Sequence, residues 1–500
     1  MRDSVDILMV AEGTYPYVRG GVSSWIHQLI SGLPEFSFGI LFLGSKKEDY
    51  KEKKYEFPKN VLFFEEYFLF DPLKVKEPKK RRIKKKYVEK LERFYFEIAR
   101  KNGFSSDSVD ILYEAFLNRE ITIEDFLYAK ESWDFIRKRY EENCPELSFL
   151  DYFWSVRSIH RPLWLLWRVA SKMNMCKIVH SPSTGYAGFI SSLISKFYNI
   201  PFVLTEHGIY IRERKMDLYS APIFDKYKYV LQKDVQDADY LKEMWIRFFE
   251  KIGVLTYASA KEILSLFQGA KELQIKFGAD EKKCKVIPNG VNIKHLNSLM
   301  KKREGRIPKV ITLLGRVVSI KDIKTFIRAM KIVVDRMPEV EGWVVGPTDE
   351  DENYANECFM MVESMNLKNN LKFLGFQKVD DIFPKTGLLT LTSVSEGMPL
   401  VILEGFAAGI PCVATDVGSC RDLIYGALNK EDIEIGKAGE VVSVANPEKL
   451  ANAYIKILSD EALWKRYSRS GLKRVETFYR QEQFLENYKR VYEEVLKWRE

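Results

Sequence analysis

Cysteine and histidine are scarce, with six and five residues in a chain of 500. The cysteines (Cys144, Cys176, Cys284, Cys358, Cys412 and Cys420) are scattered, and no pair of cysteines or histidines stands at the spacing of a zinc site. This excludes a disulfide framework and gives no basis for a structural metal. Reduced, buried thiols are expected, with no metal and no cofactor. Long apolar runs are missing too: residues 162–170 are broken by Arg168 and fall short of the roughly 20 that a spanning helix needs. No basic leader or cleavage site precedes the apolar segment 5–10, which points to a cytoplasmic protein and leaves open a peripheral contact at the inner face of a membrane. The charge excess is modest, +8, and much of it lies in Lys79, Lys80, Arg81, Arg82, Lys84, Lys85 and Lys86. No nucleic-acid module accompanies this run, so it reads as a solvated face and no nucleic-acid partner is expected.

Hydrophobic residues make up 46% and charged residues 30%, the balance of a globular protein. The length exceeds what one core organises, so two domains are expected. Residues 5–10 read as a strand, a glycine-bearing loop runs to Gly21, and 22–33 carry apolar positions at helical spacing. A strand at 38–43 follows, then a charged and aromatic stretch, 46–161, that reads as a mainly helical insertion. Alternation resumes with a strand at 176–180, a helix at 187–198, a strand at 202–205, another near Val254 and a helix through 261–277. The polar stretch 292–308 reads as a linker. Beyond it, strands at 309–314, 342–345, 371–374, 388–392, 411–414 and 440–444 alternate with helical segments. The expected domains are 1–295, with the insertion at about 46–161, and 296–460, followed by a helical segment, 461–500, packing back across both. Repeated strand–helix units give parallel sheets, so the fold class is α/β: two Rossmann-like, doubly wound domains facing a cleft onto which their strand ends open.

The loops at those strand ends carry the chemistry. After 309–314 come Gly315, Arg316 and Lys321, just ahead of a helix near Asp322. The glycine admits close backbone approach, Arg316 binds oxygens in bidentate fashion, and Lys321 adds a point charge at a helix terminus. The set suits a diphosphate, although alone it would serve equally for surface ion pairs. A more specific element runs from Ser393 to Gly409. Pro399 suits the first turn of a helix, leaving the N–H groups of Gly397 and Met398 to meet phosphate oxygens, with Leu400 next. Glu396 precedes that helix. Glu404 lies among Val401, Ile402, Leu403 and Phe406, so its carboxyl needs a partner, which a ribose diol would supply. In isolation the two glutamates could equally be a cap and a solvent-facing position. His207, between the strand 202–205 and Gly208, is placed to hydrogen-bond a sugar or to move a proton, against the structural role usual for a lone histidine. Asp349, Glu350, Asp351 and Glu352 follow Gly346 and Pro347 and read as a helix start rather than a metal motif.

Glu396 through Glu404, together with Gly315, Arg316 and Lys321, resembles the donor-site signature of the GT-B glycosyltransferases of glycosyltransferase family 4. Pro288, Asn289, Gly290 and Val291 are similar to that family's interdomain segment, and Ala414 to Gly418 to its loop after the signature helix. At the amino end, the segment from Glu12 to Trp25 (EGTYPYVRGGVSSW) is similar to the PelF-like branch, associated with bacterial exopolysaccharide synthesis and with a large helical insertion in the first domain. The resemblance implies a metal-independent, retaining hexosyltransferase. Its donor would be a nucleotide sugar, UDP-linked such as UDP-glucose, its acceptor a sugar or glycan, and its setting a membrane-associated polysaccharide synthesis complex. By the same resemblance Arg316 and Lys321 neutralise the donor diphosphate, and Glu404 binds the ribose. Glu396, with the backbone of Gly397, Met398, Pro399 and Leu400, orients the transferred sugar. The base would lie near Phe376 and Gln377, Gly20 and Gly21 would approach the phosphates from the first domain, and His207 would stand beside the reacting carbon. His207, Arg316, Lys321 and Glu396 are thus the implied catalytic groups. In the front-face reaction so implied, the departing phosphate receives the acceptor's proton. The competing readings are a GT-B sugar-nucleotide epimerase or phosphorylase, and a noncatalytic nucleotide-sugar-binding subunit.

Overall fold

The structure is a computed structural model describing residues 4–71, 81–99, 120–220, 235–303 and 307–497, with 115, 118 and 305. Lys79 and Lys80 of the basic run lie outside the described residues. Contacts gather the chain into two units, Met1–Val286 with Lys489–Glu500, and Ile287–Tyr488.

The first unit is built on a parallel sheet of β1 (Val5–Glu12), β2 (Phe38–Gly44), β3 (Val61–Phe68), β4 (Cys176–Ser181), β5 (Phe202–Glu206), β6 (Glu262–Ser265) and β7 (Cys284–Val286). The strand order is β3-β2-β1-β4-β5-β6-β7. Near-continuous apolar runs such as ILMVA in β1 and ILFL in β2 are what strands covered by helices on both faces require. The chain winds outward from β1 to β3 and then returns to the other side of β1, so the order reverses between β1 and β4. In such sheets ligands bind beyond the carboxyl ends of the strands at this point.

The second unit repeats the plan with β8 (Val310–Leu314), β9 (Glu341–Val345), β10 (Leu371–Gly375), β11 (Leu388–Leu391), β12 (Cys412–Thr415) and β13 (Gly439–Val442). The order β10-β9-β8-β11-β12-β13 puts its reversal between β8 and β11. Ile311, Phe326, Met330, Tyr454 and Trp464 are buried in its core. The helix Glu461–Phe478 is anchored by Arg474, whose fully buried guanidinium donates to Asp432 Oδ1 at 2.6 Å and to the carbonyls of Leu423, Ile424 and Gly436. The α/β class and the two doubly wound Rossmann-like units are as expected.

Three local expectations fail, each for a packing reason. The strand near Val254 is part of the helix Val235–Ser259, because Phe248, Phe249, Ile252 and Leu255 recur at helical spacing and bury together. The strand there is β6, and the following helix starts only at Gln268. The stretch 46–161 is mainly helical in its described residues, as expected, but its first part is sheet and not insertion: β3 pairs in parallel with β2, with Ile40 opposite Phe64 and Leu41 opposite Glu65. Residues 292–308 are not an extended linker. They hold the helix Ile293–Ser298 and a 3-10 turn Leu299–Arg303. Arg303 is buried, donating to the carbonyls of Ala408 at 2.5 Å and Gly409 at 3.2 Å. The division of contacts at Val286 and Ile287, rather than at 295, has a similar cause. A Cβ on Gly290 would stand 2.6 Å from Phe484 Cβ, and the N–H of Val291 donates to the carbonyl of Tyr479, so this segment is packed into the second unit.

Candidate active site

At the order reversal of the second unit, the loop after β8 meets the loop after β11. The N–H of Val394 donates to Ile320 O at 2.9 Å, and Thr392 Oγ1 donates to Lys321 O at 2.7 Å, which stitches the two loops together. On this frame Lys321 Nζ lies 2.5 Å from Glu396 Oε1, and Ser393 Oγ donates to the same oxygen at 2.5 Å. Both charged groups are partly shielded, with side-chain exposures of 23% and 12%, so they interact more strongly than a surface pair would. Lys321 and Glu396 are therefore brought into contact, as their loop positions suggested. Ser393 is a partner that the sequence reading did not single out.

Arg316 follows on the same loop, but its guanidinium is paired with Glu350, and both side chains are more than a third exposed. An exposed pair of this kind is weak and easily exchanged for another anion. The acidic stretch thus has two roles: Asp351 caps the helix Glu352–Ser364 by accepting from the N–H of Tyr354 at 3.1 Å, while Glu350 holds Arg316. Sequence reasoning missed the second role, which needs the adjacency of β8 and β9. The N–H of Gly315 is already given to Val345 O at 2.9 Å, so it is not free for a ligand. The tight approach occurs instead at Gly346, where a Cβ would stand 2.0 Å from Gly315 O.

Pro399 sits one residue earlier than expected. It is the N-cap of the helix Leu400–Ala407 rather than part of its first turn. The N–H groups of Gly397 and Met398 have no hydrogen-bond partner among the described residues and stand at the positive end of that helix. The Met398 side chain turns inward: its sulfur accepts from the N–H of Asn289 at 3.4 Å, so only its backbone is available. Behind this loop Ser419 donates its N–H and hydroxyl to Gly397 O, at 2.9 and 3.1 Å. A Cβ on Gly418 would come within 2.3 Å of Glu396 O. Within the helix Glu404 is half-buried among apolar neighbours, and its carboxyl has no protein hydrogen-bond partner among the described residues. Burial pushes it up to about 7. Phe376 and Gln377 follow β10 at the same edge of the sheet. The ring of Phe376 is 55% exposed, and Gln377 spends its amide on Leu374 O at 2.9 Å. Among the described residues no hydrogen bond or ion pair joins Gln377 or Glu404 to the Lys321–Glu396 pair.

In the first unit the corresponding reversal carries Gly20 and Gly21, after β1, at the start of the helix Gly21–Gly32. A Cβ on either would meet no atom within 4 Å, so packing does not demand glycine there. His207 follows β5. Its ring stands edge-on to Trp25 at 4.5 Å, and its Nε2 is buried without a partner. Burial pushes the imidazole down to about 3, so it is neutral and suited to hydrogen bonding. That removes the positively charged form that a proton donor would need. Its neighbour Glu206, assigned no role from sequence, is a buried node accepting from Tyr257 and Gln274 on Oε2 and from Thr184 and the N–H of Tyr210 on Oε1. Among the described residues no group of three or more His, Cys, Asp and Glu side chains is placed to hold a metal.

Residues 5–282 match the family model described as Domain of unknown function (DUF3492), which is more than half of the chain. The chain belongs to the DUF3492 family. Residues 299–474 of this DUF3492 protein match a second model, Glycosyl transferases group 1. An uncharacterized glycosyltransferase of Methanocaldococcus jannaschii is 27% identical over 309 residues, covering 56% of the DUF3492 chain and 69% of that protein. The UDP-Gal:alpha-D-GlcNAc-diphosphoundecaprenol alpha-1,3-galactosyltransferase of Escherichia coli is 23% identical over 337 residues, covering 64% and 74%. Among solved structures, Anabaena HepE in complex with UDP and glucose superposes over 97% of the chain and 99% of its own, with a TM-score of 0.59 at 14% identity. Identity that low carries the fold alone. The DUF3492 chain has the GT-B architecture, and its relatives support a glycosyltransferase that uses a nucleotide sugar.

Proposed function

We propose that this protein transfers a hexosyl group from a UDP-linked sugar such as UDP-glucose to a sugar or glycan hydroxyl, with retention of configuration and without a metal ion, in exopolysaccharide synthesis. The observation that carries the reading is the Lys321–Glu396 contact at the β8/β11 reversal, beside the unpartnered N–H groups of Gly397 and Met398. Departure of the nucleotide concentrates negative charge on the diphosphate. Lys321, Arg316 and the helix N-terminus stabilise that charge, with the donors of Lys321 and of the helix N-terminus already fixed in place. A diphosphate would draw Arg316 from its exposed pairing with Glu350. Glu396 is turned by Lys321 and Ser393 to accept from hydroxyls of the transferred sugar, and Glu404 accepts from the ribose. Neutral His207 offers a hydrogen bond to that sugar, and Gly20 and Gly21 leave room for close approach of the phosphates. The exposed ring of Phe376, with the backbone beside Gln377, is the seat for the base. The UDP in the HepE structure and the UDP-Gal in the E. coli relative's name support a uridine donor, and the alpha-linkage in that name supports retention.

A thermal-shift screen of nucleotide sugars tests donor binding directly, since a ligand bound by the folded state alone raises apparent stability with concentration. UDP-glucose should raise the melting temperature more than GDP-mannose, and no shift with any nucleotide sugar would sink the proposal. Lys321→Ala should lower turnover at saturating donor by about 100- to 1000-fold, the scale of losing one preorganised donor. Near-normal turnover would remove Lys321 from the reaction.

A further inference from the structure

His207 is assigned a hydrogen bond to the transferred sugar, yet its Nε2 is buried with no partner among the described residues to hold it. The imidazole packs instead on Trp25, whose indole stands edge-on to it at 4.5 Å. Trp25 comes from the helix Gly21–Gly32 and is itself buried. The same indole meets a second imidazole, that of His180, at 5.6 Å and a right angle.

His180 is held at both ring nitrogens. It lies in β4, fully buried, opposite Val203 of β5, and side chains two apart on a strand share a face, so His180 and Thr205 stand on the same side of the sheet. His180 Nε2 is 2.9 Å from Thr205 Oγ1, and His180 Nδ1 is 2.7 Å from Tyr492 Oη. Burial, with His207 close by, pushes the imidazole down to about 3, so it is neutral, with one nitrogen donating and the other accepting. The ring therefore ties the two hydroxyls together. Either Tyr492 donates to Nδ1 while the Nε2–H donates to Thr205, or the Nδ1–H donates to Tyr492 while Thr205 donates to Nε2.

Tyr492 is carried by the helix Gln481–Lys497, whose residues from Lys489 onward belong to the first unit. Lys489 pairs with Glu35 at 2.9 Å, and the ring of Phe36 stands edge-on to that of Tyr492 at 5.6 Å. Packing alone would be met as well by phenylalanine. A fully buried phenol must also replace the water its hydroxyl loses, and here the bond to His180 does so. Two routes then lead from His180 to His207. One runs through the indole of Trp25, and the other through the backbone from Thr205, two residues before His207.

We propose that His180 and Tyr492 are positioning residues for His207. The Tyr492 hydroxyl holds His180, and His180 holds Trp25 and the end of β5, so that the His207 ring keeps the orientation in which it meets the sugar. The role in transfer rests on the reading that His207 touches that sugar, whereas the coupling of Tyr492 to His207 does not.

The test is NMR of the full chain with 13C-labelled histidine, which carries five histidines, with turnover and melting temperature measured on the same variants. The signals of His180 and His207 are assigned by their loss in His180→Gln and His207→Ala. In Tyr492→Phe, which keeps the ring on Phe36, the His207 signal should move together with that of His180, while that of His295 in the second unit stays. The kcat should fall about fivefold to tenfold, the scale of one hydrogen bond, with KM for UDP-glucose unchanged. In the His207→Ala background the same substitution should leave turnover as it is, because residues acting in series do not add. Thr205→Val, which removes the bond on the other side of His180, is a second variant with the same expected pattern. A hydroxyl that serves stability alone would lower the melting temperature and move neither the His207 signal nor kcat. An unmoved His207 signal, turnover unchanged by Tyr492→Phe while His207→Ala lowers it, or an equal loss in both backgrounds would overturn the proposal. Turnover unaffected by His207→Ala would instead remove His207 from the reaction, and a His207 signal that moves in Tyr492→Phe would then still support the coupling.

Discussion

Burial pushes the carboxyls of Glu206 in the first unit and Glu404 in the second up to about 7, yet the protein holds them in opposite ways. Glu206 accepts from four donors contributed by Thr184, Tyr210, Tyr257 and Gln274, two on each oxygen. Glu404 sits in an apolar run with no donor among the described residues. The first arrangement is that of a structural node, where desolvation is offset inside the fold. The second has no internal donor against its partial desolvation, and donors from a ligand would offset it. The same division separates Arg474, with all its hydrogen bonds internal, from Lys321, whose one carboxylate partner is itself a proposed sugar-binding group.

If that division is right, substitutions of the internally satisfied groups should act on folding, and substitutions of the others on binding. The largest stability effect is expected for Arg474→Ala, which leaves Asp432 buried without its counter-ion and should cost about 3–5 kcal/mol in urea unfolding. A cost under about 1 kcal/mol would mean that the buried pair is dispensable. Glu206→Leu strands several buried donors and should cost at least about 2 kcal/mol. Glu206 also imposes a pH dependence. Its folded value of about 7 lies above the ordinary 4.5, so its stabilising contribution is complete below pH 4.5 and is lost as pH rises through about 7. Glu404 adds a contribution of the same sign, so the substitution should reduce, and not abolish, the fall in unfolding midpoint across that window.

Glu404→Gln should leave the melting temperature of the free protein nearly unchanged and weaken UDP-glucose by about 10- to 100-fold, the value of hydrogen bonds to a charged acceptor. Because ribose hydroxyls favour the ionised carboxyl, affinity in the unmodified protein should fall as pH drops below about 7. The slope approaches about tenfold per pH unit, and the variant should be flat. Isothermal titration at several pH values decides this, and a pH-independent affinity in the unmodified protein would remove Glu404 from the ribose. A small effect of opposite sign belongs to Gly21→Ala, whose added methyl meets only open space at a helix start. Stability should rise by up to about 1 kcal/mol. A simultaneous loss of turnover would show that the glycine serves a ligand, and full turnover would show that it does not.

Much of the frame was legible along the chain because strands buried on both faces must be apolar almost throughout, and helices must repeat their apolar positions every three to four residues. Those rules located β1, β2, β4, β5 and the strands of the second unit. They failed where two patterns overlap. An apolar run around Val254 satisfies both periods, and the helix wins through Phe248 and Ile252. β3 hides in a charged neighbourhood because an edge strand tolerates Glu65 and Glu66. The basic residues 301–303 looked like a solvated linker until Arg303 found buried carbonyls.

Local patterning and the direction of parallel strands are enough to fix the doubly wound plan of each unit and to place Arg316, Lys321, Glu396 and His207 at carboxyl ends of strands. Which groups are spent and which are available follows from the packing of distant segments. The fold did more than position these residues. It paired Arg316 with Glu350 across β8 and β9, turned Met398 inward onto Asn289, and made His207 neutral by burial against Trp25. It also set Tyr492 on His180 and His180 against Trp25. Hydrogen bonding and desolvation depend on neighbours distant in sequence, and no pattern along the chain encodes them locally.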